Sequence, residues 1–237
     1  MSLMKKHAKK KIKTKDIFDR YLVNDLTGAD SSKTIDIFSN LNATSFLDLA
    51  RKHKLKERQI STLIGFKDEF FVYTLICQII SELHLEDQFY CKKVTASEWR
   101  GLSARMIKFH YSDLILTVGG DCVIFRKSND KPVMIIECKE YIDMIRMKEL
   151  IGESQVIKGS ISNSKNLLAG ITFCVFSEVL ELTAGWAYLL NNSDLAKSID
   201  NIFIIRDGKR KDRKNKPVKE NLLQFREYIT KFLQNAR

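Results

Sequence analysis

Proline is nearly absent from this chain, with 2 in 237 residues, and glycine is sparse at 10. Such a composition leaves no room for a long flexible linker. The five cysteines, Cys77, Cys91, Cys122, Cys138 and Cys174, form no CxxC pair and are odd in number. Several sit inside apolar runs, so they read as reduced core thiols of a cytoplasmic protein and not as zinc ligands or a disulfide framework. Long hydrophobic runs are also missing. The longest, Phe70 to Ile80, is too short to span a bilayer and contains Gln78. The lysine-rich N-terminus lacks the apolar stretch of a secretory signal. No basic amphipathic helix with a Trp/Phe face accompanies it, so a membrane partner is not expected.

What is present describes a folded protein, 44% hydrophobic and 29% charged. The length suits one large domain, or one domain plus a small module. Acidic residues are outnumbered, 29 Asp+Glu against 40 Lys+Arg, for a net charge of +11. That excess favours a polyanionic partner. It is concentrated in KKHAKKKIKTK (5–15) and RDGKRKDRKNKPVK (206–219). Either run alone could be solvated tail or loop; together they lean toward nucleic acid. In the second run Lys209, Arg210 and Arg213 are candidate DNA contacts, on either a phosphate clamp or a mobile loop.

Periodicity predicts helices near 16–24 and 44–53 and a longer one over about 60–84. In the long helix Phe66, Phe70, Tyr73, Cys77 and Ile80 step by four and three, the spacing of one helical face. Leu75, Ile76 and Ile79 widen the apolar surface, so this helix should be largely buried. Strand-like runs follow at 112–118, 121–125 and 133–138, then a helix over about 142–158. Further strands are expected at 170–178 and 201–207 and a helix at 218–235. Helices before, between and after a few strands predict an α/β fold with a mixed sheet flanked by helices.

One stretch resists a purely structural reading. In GGDCVIFRKSNDKPVMIIECKEY (119–141), four apolar residues lead straight into Glu137-Cys138-Lys139. Charges there are costly unless the strand ends at solvent or the charges have partners. KSNDK reads as a hairpin turn. A turn centred on Asn129 pairs residues whose numbers sum to about 258: Phe125 with Val133, Val123 with Ile135, Asp121 with Glu137. Residues two apart on a strand share a face, so Asp121, Glu137 and Lys139 should project together. Facing carboxylates repel unless a cation lies between them or one is protonated. Hard oxygen ligands favour Mg²⁺, with Mn²⁺ as a substitute. Asp113 is the poorer partner, because pairing it with Glu137 would centre the turn on Phe125.

This constellation resembles the PD-(D/E)xK nuclease superfamily, the fold of most type II restriction endonucleases. Asp121 in GGDCVIF and Glu137 and Lys139 in IIECK carry the pattern, with Gly120 where proline is usual. The organisation matches over about residues 60–205. The resemblance implies a restriction-endonuclease-like core over 60–237, preceded at 1–59 by a basic arm and a helical extension. It implies a Mg²⁺-dependent, sequence-specific endonuclease acting on double-stranded DNA and leaving 5′-phosphate and 3′-hydroxyl ends. Asp121, Glu137 and the Cys138 carbonyl would ligate the metal, Lys139 would assist the attacking water, and Glu69 would add an acid from the core helix. Symmetric cutting suits a homodimer, and a cognate methyltransferase is a conceivable partner.

Two further segments could face DNA. FLDLARKHKLKERQISTLIG (46–65) places Ala50, Leu55 and Ile60 at helix-turn-helix spacing, with Arg58 and Gln59 on the would-be recognition helix. An ordinary helix pair is the preferred reading, because Lys54 stands where that turn wants glycine. SEWRGLSARMIKFH (97–110) adds Arg100 and Arg105. Two alternatives to a restriction enzyme stay open: a structure-selective repair, recombination or mobile-element nuclease of the same fold, and a non-catalytic DNA-binding protein.

Overall fold

The computed structural model describes residues 26, 28–52, 54–93, 120–159 and 170–236. Helices α1 (Ser31–Ser39), α2 (Ala43–Lys52) and α3 (Glu57–Glu82) precede β1 (Phe89–Lys93). The hairpin β2 (Cys122–Arg126) and β3 (Lys131–Ile142) follows, then α4 (Met144–Gly159), β4 (Thr172–Leu180), α5 (Ala184–Asn191), β5 (Asn201–Ile204) and α6 (Lys219–Asn235). The expected helix at 16–24 and strand at 112–118 lie outside the described residues, as do Arg100, Arg105 and Asp113. Among the described residues no helix is long and apolar enough to cross a membrane.

The described strands form one sheet in the order β1-β2-β3-β4-β5. The β1/β2 and β2/β3 pairs are antiparallel, whereas β3/β4 and β4/β5 are parallel. The sheet is therefore mixed, as expected. Strand alternation sends Cys122, Ile124, Ile136 and Phe176 to a core shared with α1, α3 and α6. It sends Val123, Phe125, Ile135, Phe173 and Val175 to a second core under α4. The result is a helix–sheet–helix sandwich. A run of rings ties the first core together: Phe38 stacks on Phe71 at 3.9 Å, Phe71 lies 5.7 Å from Phe176, and Phe225 sits 4.9 Å from both Phe176 and Phe203. Truncating one such buried ring to alanine typically costs about 3–5 kcal/mol.

The hairpin register carries the argument about the site. Cys122 pairs with Ile136, Val123 with Ile135 and Ile124 with Met134, the predicted register. The expected Phe125–Val133 pair does not form. Phe125 pairs instead with Pro132 and Arg126 with Lys131, after a register shift. Val133 is thus the extra residue of a β-bulge, beside a proline that has no ladder donor. β3 also runs on to Ile142, four residues beyond the strand expected from the apolar run.

The α3 helix shows a second correction. Its fully buried stripe is Leu63, Ile64, Lys67, Asp68, Phe71, Val72, Leu75, Ile76, Ile79 and Ile80. Phe66 is exposed, and Phe70, Tyr73 and Cys77 are only half-buried. The buried stripe contains a lysine and an aspartate, so apolar spacing placed the inward face on its flank. Both charges are paired internally. Lys67 Nζ donates to Asp68 Oδ1 at 2.5 Å and to Glu178 of β4. Arg206, just beyond β5, reaches Glu178 Oε2 at 3.2 Å.

Candidate active site

Asp121 stands one residue before β2. The register of the adjacent Cys122–Ile136 pair, carried one step further, sets it opposite Glu137. Its Oδ2 accepts the Cys138 backbone N–H at 2.7 Å. Alternation puts Asp121, Glu137 and Lys139 on the α4 side of the sheet with Val123 and Ile135. Lys139 Nζ donates to Glu137 Oε2 at 2.7 Å. The expected trio is therefore assembled in space. On β4, Val175 and Ser177 lie beside Glu137 and Lys139.

Glu137 is 4% exposed. Burial, reinforced by the Asp121 carboxylate and opposed by Lys139, pushes its carboxyl up from 4.5 to about 8. Burial alone would lower the Lys139 pKa; the Glu137 carboxylate reverses this and holds it above its ordinary value. Two acids at one strand end and a single ammonium leave the site short of positive charge. That shortage is what a hard divalent cation would relieve.

Among the described residues no three His, Cys, Asp or Glu side chains converge on one metal-sized point. The donors that fit a cation are the Asp121 and Glu137 carboxylates with the Cys138 carbonyl. Such a sparse set suits Mg²⁺, which keeps several of its waters. The Cys138 thiol itself turns away with Met134 and Ile136 toward the α3 core. Burial raises its pKa well above the ordinary range, so it stays a neutral thiol.

Glu69 lies on the turn of α3 whose carbonyl accepts the Cys122 thiol at 3.4 Å. This brings the helix against β2 on the Cys122 side of the sheet, the face opposite to that of Asp121, Glu137 and Lys139. An acid the sequence reading missed, Glu153 of α4, interacts electrostatically with both Lys139 and Asp121. Burial raises its pKa, with Lys139 opposing. No local motif marks Glu153; only the packing of α4 over β3 brings it to the site. It lies 14 positions after Lys139 in the chain.

The other candidates fall elsewhere. Arg58 and Gln59 occupy the first turn of α3, where Gln59 Oε1 accepts the Lys56 N–H at 3.1 Å. Lys54 between α2 and α3 adopts a left-handed φ of +51°, so the turn forms without glycine. Leu47, Leu55 and Ile60 pack against Leu26, Leu63 and Ile64, and α3 then continues into the core. Lys209, Arg210 and Arg213 share the loop between β5 and α6, and α2 touches it: Thr44 Oγ1 donates to the Arg213 carbonyl at 3.0 Å.

No protein-family model matches the chain, and no curated protein matches it in sequence. In three dimensions it is similar to the type IIF restriction endonuclease Bse634I. Against that enzyme with cognate DNA the TM-score is 0.51 at 12% identity, over 79% of this chain and 83% of the other. A second structure of Bse634I restriction endonuclease gives 0.51 at 12%, over 84% and 86%. At that identity the likeness is one of fold: a mixed five-stranded sheet flanked by helices, as in these restriction endonucleases.

Proposed function

We propose that this chain is a divalent-metal-dependent endonuclease that hydrolyses phosphodiester bonds of double-stranded DNA at a specific sequence. The observation that carries the reading is the Asp121–Glu137–Lys139 constellation, with Glu137 buried and raised to about 8. A buried glutamate facing a half-buried aspartate next to a lysine is an expensive arrangement for a strand end unless it serves chemistry. The restriction-endonuclease-like fold and the net charge of +11 point the same way.

Asp121, held by the Cys138 amide, and Glu137, held by Lys139, would bind Mg²⁺, which supplies charge to polarise a phosphate and to acidify a water. The Lys139 ammonium orients the attacking water and stabilises charge on the nonbridging oxygens. The water oxygen bonds to phosphorus, the bond to the 3′ oxygen breaks, and that oxygen takes a proton. The products carry 5′-phosphate and 3′-hydroxyl ends. Glu153, exposed and within electrostatic reach of Lys139 and Asp121, would accept a proton from the water. A homodimer would cut both strands symmetrically.

The test is incubation of purified protein with long duplex DNA and Mg²⁺, beside an EDTA control and the Glu137→Ala and Lys139→Ala variants. Discrete fragments that vanish in all three controls support the proposal. Cleavage that persists in EDTA or in Glu137→Ala overturns it. Cutting confined to branched DNA would favour a structure-selective nuclease instead.

A further inference from the structure

Tyr141 lies two residues beyond Lys139 on β3, about 7 Å further along the same face. The Arg146 guanidinium carbon stands 3.8 Å from its ring centroid and that of Arg210 stands 3.9 Å away. Two cations so close to one centroid have to occupy opposite faces of the ring. Tyr141 is thus sandwiched, with Arg146 from the first turn of α4 and Arg210 from the loop after β5. The acids nearby occupy only part of this charge. Asp143 pairs with Arg146 at 3.4 Å, Glu140 lies 4.0 Å from Arg210, and Glu181 accepts the Arg210 backbone N–H at 2.5 Å. Each guanidinium has five donors, in a fork that suits phosphate oxygens.

The loop that delivers Arg210 is strongly basic and tightly held. Residues 207–216 contain six Lys/Arg against two Asp. Buried Arg206 donates from Nη1 to the Asp212 carbonyl at 2.7 Å and to the Lys209 carbonyl at 3.3 Å. Asp212 Oδ2 accepts the Lys209 N–H at 2.8 Å, and Asn215 Nδ2 donates to the Asp207 carbonyl at 3.0 Å. Gly208 has φ +91°, and a Cβ there would meet Asp212 Oδ2 at 2.9 Å and Asn215 Nδ2 at 2.8 Å. Arg206 is itself fixed by Glu178, and Glu178 by Lys67 of α3. Backbone groups are consumed by this scaffold, while Lys209, Arg210 and Lys211 stay exposed. With Arg213 and Glu181 these three line an open basin of about 650 Å³. A loop that only joined β5 to α6 would not need buried charges to hold it, since burying them costs stability.

We propose that the Arg146–Tyr141–Arg210 stack, with Lys209 and Lys211, clamps the sugar–phosphate backbone of duplex DNA beside the scissile phosphate. Arg206 is a positioning residue that fixes the loop. The clamp rests on the nuclease reading but concerns binding, so it can be tested with cleavage silenced. The Glu137→Ala protein is titrated with fluorescent duplexes of two unrelated sequences in EDTA over a salt series. Adding Arg210→Gln or Arg146→Gln should flatten the slope of log affinity against log salt by about one each, equally on both sequences. Lys209→Gln and Lys211→Gln, exposed changes that leave the stack intact, should each do the same. Arg210→Lys, which keeps the charge, should keep the slope. Lys231→Gln on α6 serves as the remote control. Slopes unchanged in the Arg146→Gln/Arg210→Gln double variant, with DNA still bound, overturn the clamp and leave the nuclease reading intact. Failure of the Glu137→Ala parent to bind duplex DNA overturns both.

Discussion

Asp121 and Cys138 are joined by a 2.7 Å hydrogen bond from the Cys138 amide to Asp121 Oδ2. This bond fixes the aspartate opposite Glu137 although Asp121 lies outside the β2 ladder. It also uses one oxygen of a carboxylate that crowds Glu137 with negative charge.

Asp121→Asn therefore separates geometry from charge. The asparagine Oδ1 can still accept from Cys138, so the fold should survive, with a melting temperature within a few degrees of the parent. With the Asp121 charge gone, the Glu137 midpoint should fall below about 8. Cleavage should drop by about 10²-fold or more, as when a preorganised charged group is removed. Carboxyl-carbon NMR titration and initial rates read the two effects.

Metal affinity should depend on pH with a definite sign. Glu137 has to lose its proton before it can ligate a cation, and its folded value is about 8. Apparent Mn²⁺ affinity is then expected to climb between pH 6 and 8, by up to about tenfold per unit, and to flatten above. Calorimetric titration in buffers of different ionisation enthalpy should count about one proton released per ion near pH 7.

Without metal the fold should lose stability as pH rises. Glu137 is raised from 4.5 to about 8 and Asp68 from 3.8 to about 7, each primarily by burial. The folded protein holds protons that the unfolded chain releases, so this stabilisation is full below the ordinary values and is lost as pH climbs through 7 and 8. Denaturant unfolding in EDTA should show a loss on the order of 5 kcal/mol between pH 5.5 and 8.5. Glu137→Gln should remove much of it.

The site was more legible in the sequence than the elements around it. Asp121, Glu137 and Lys139 could be placed together because a strand has period two and the hairpin turn announces itself in KSNDK. The inward face of α3 could not, because Lys67 and Asp68 hide it from any apolar count while Glu178 neutralises the lysine from a strand far along the chain. Three elements went unseen for want of length or pattern: α1 has nine residues and buries only Ile35 and Phe38 among its apolar ones, β1 has five residues and ends in two lysines, and α5 has eight residues, none of them buried. Glu153 was invisible for a third reason. Its interaction with Lys139 and Asp121 depends on how α4 lies over β3, a tertiary fact with no local signature.

Lys67→Met should be among the costliest single changes in the chain. It removes the cation that meets both Asp68 and Glu178 in a site where all three are buried. Breaking such a pair from one side typically costs about 3–5 kcal/mol, which thermal unfolding would report. The loss should be smaller below pH 7, where Asp68 takes up a proton instead of standing as an unpaired charge.

The bulge at Val133 has a consequence for how much the hairpin tip can vary. Below it the strands pair in one register and above it in another, so the tip and the site are not geared together. A lengthened or rebuilt 127–130 turn would be absorbed at Val133 before it could swing Glu137 to the opposite face. That makes the tip a natural place to graft a spectroscopic label or a foreign loop. Deleting Val133 itself would couple the tip rigidly to the acids, and every later change in the turn would then be felt at Glu137.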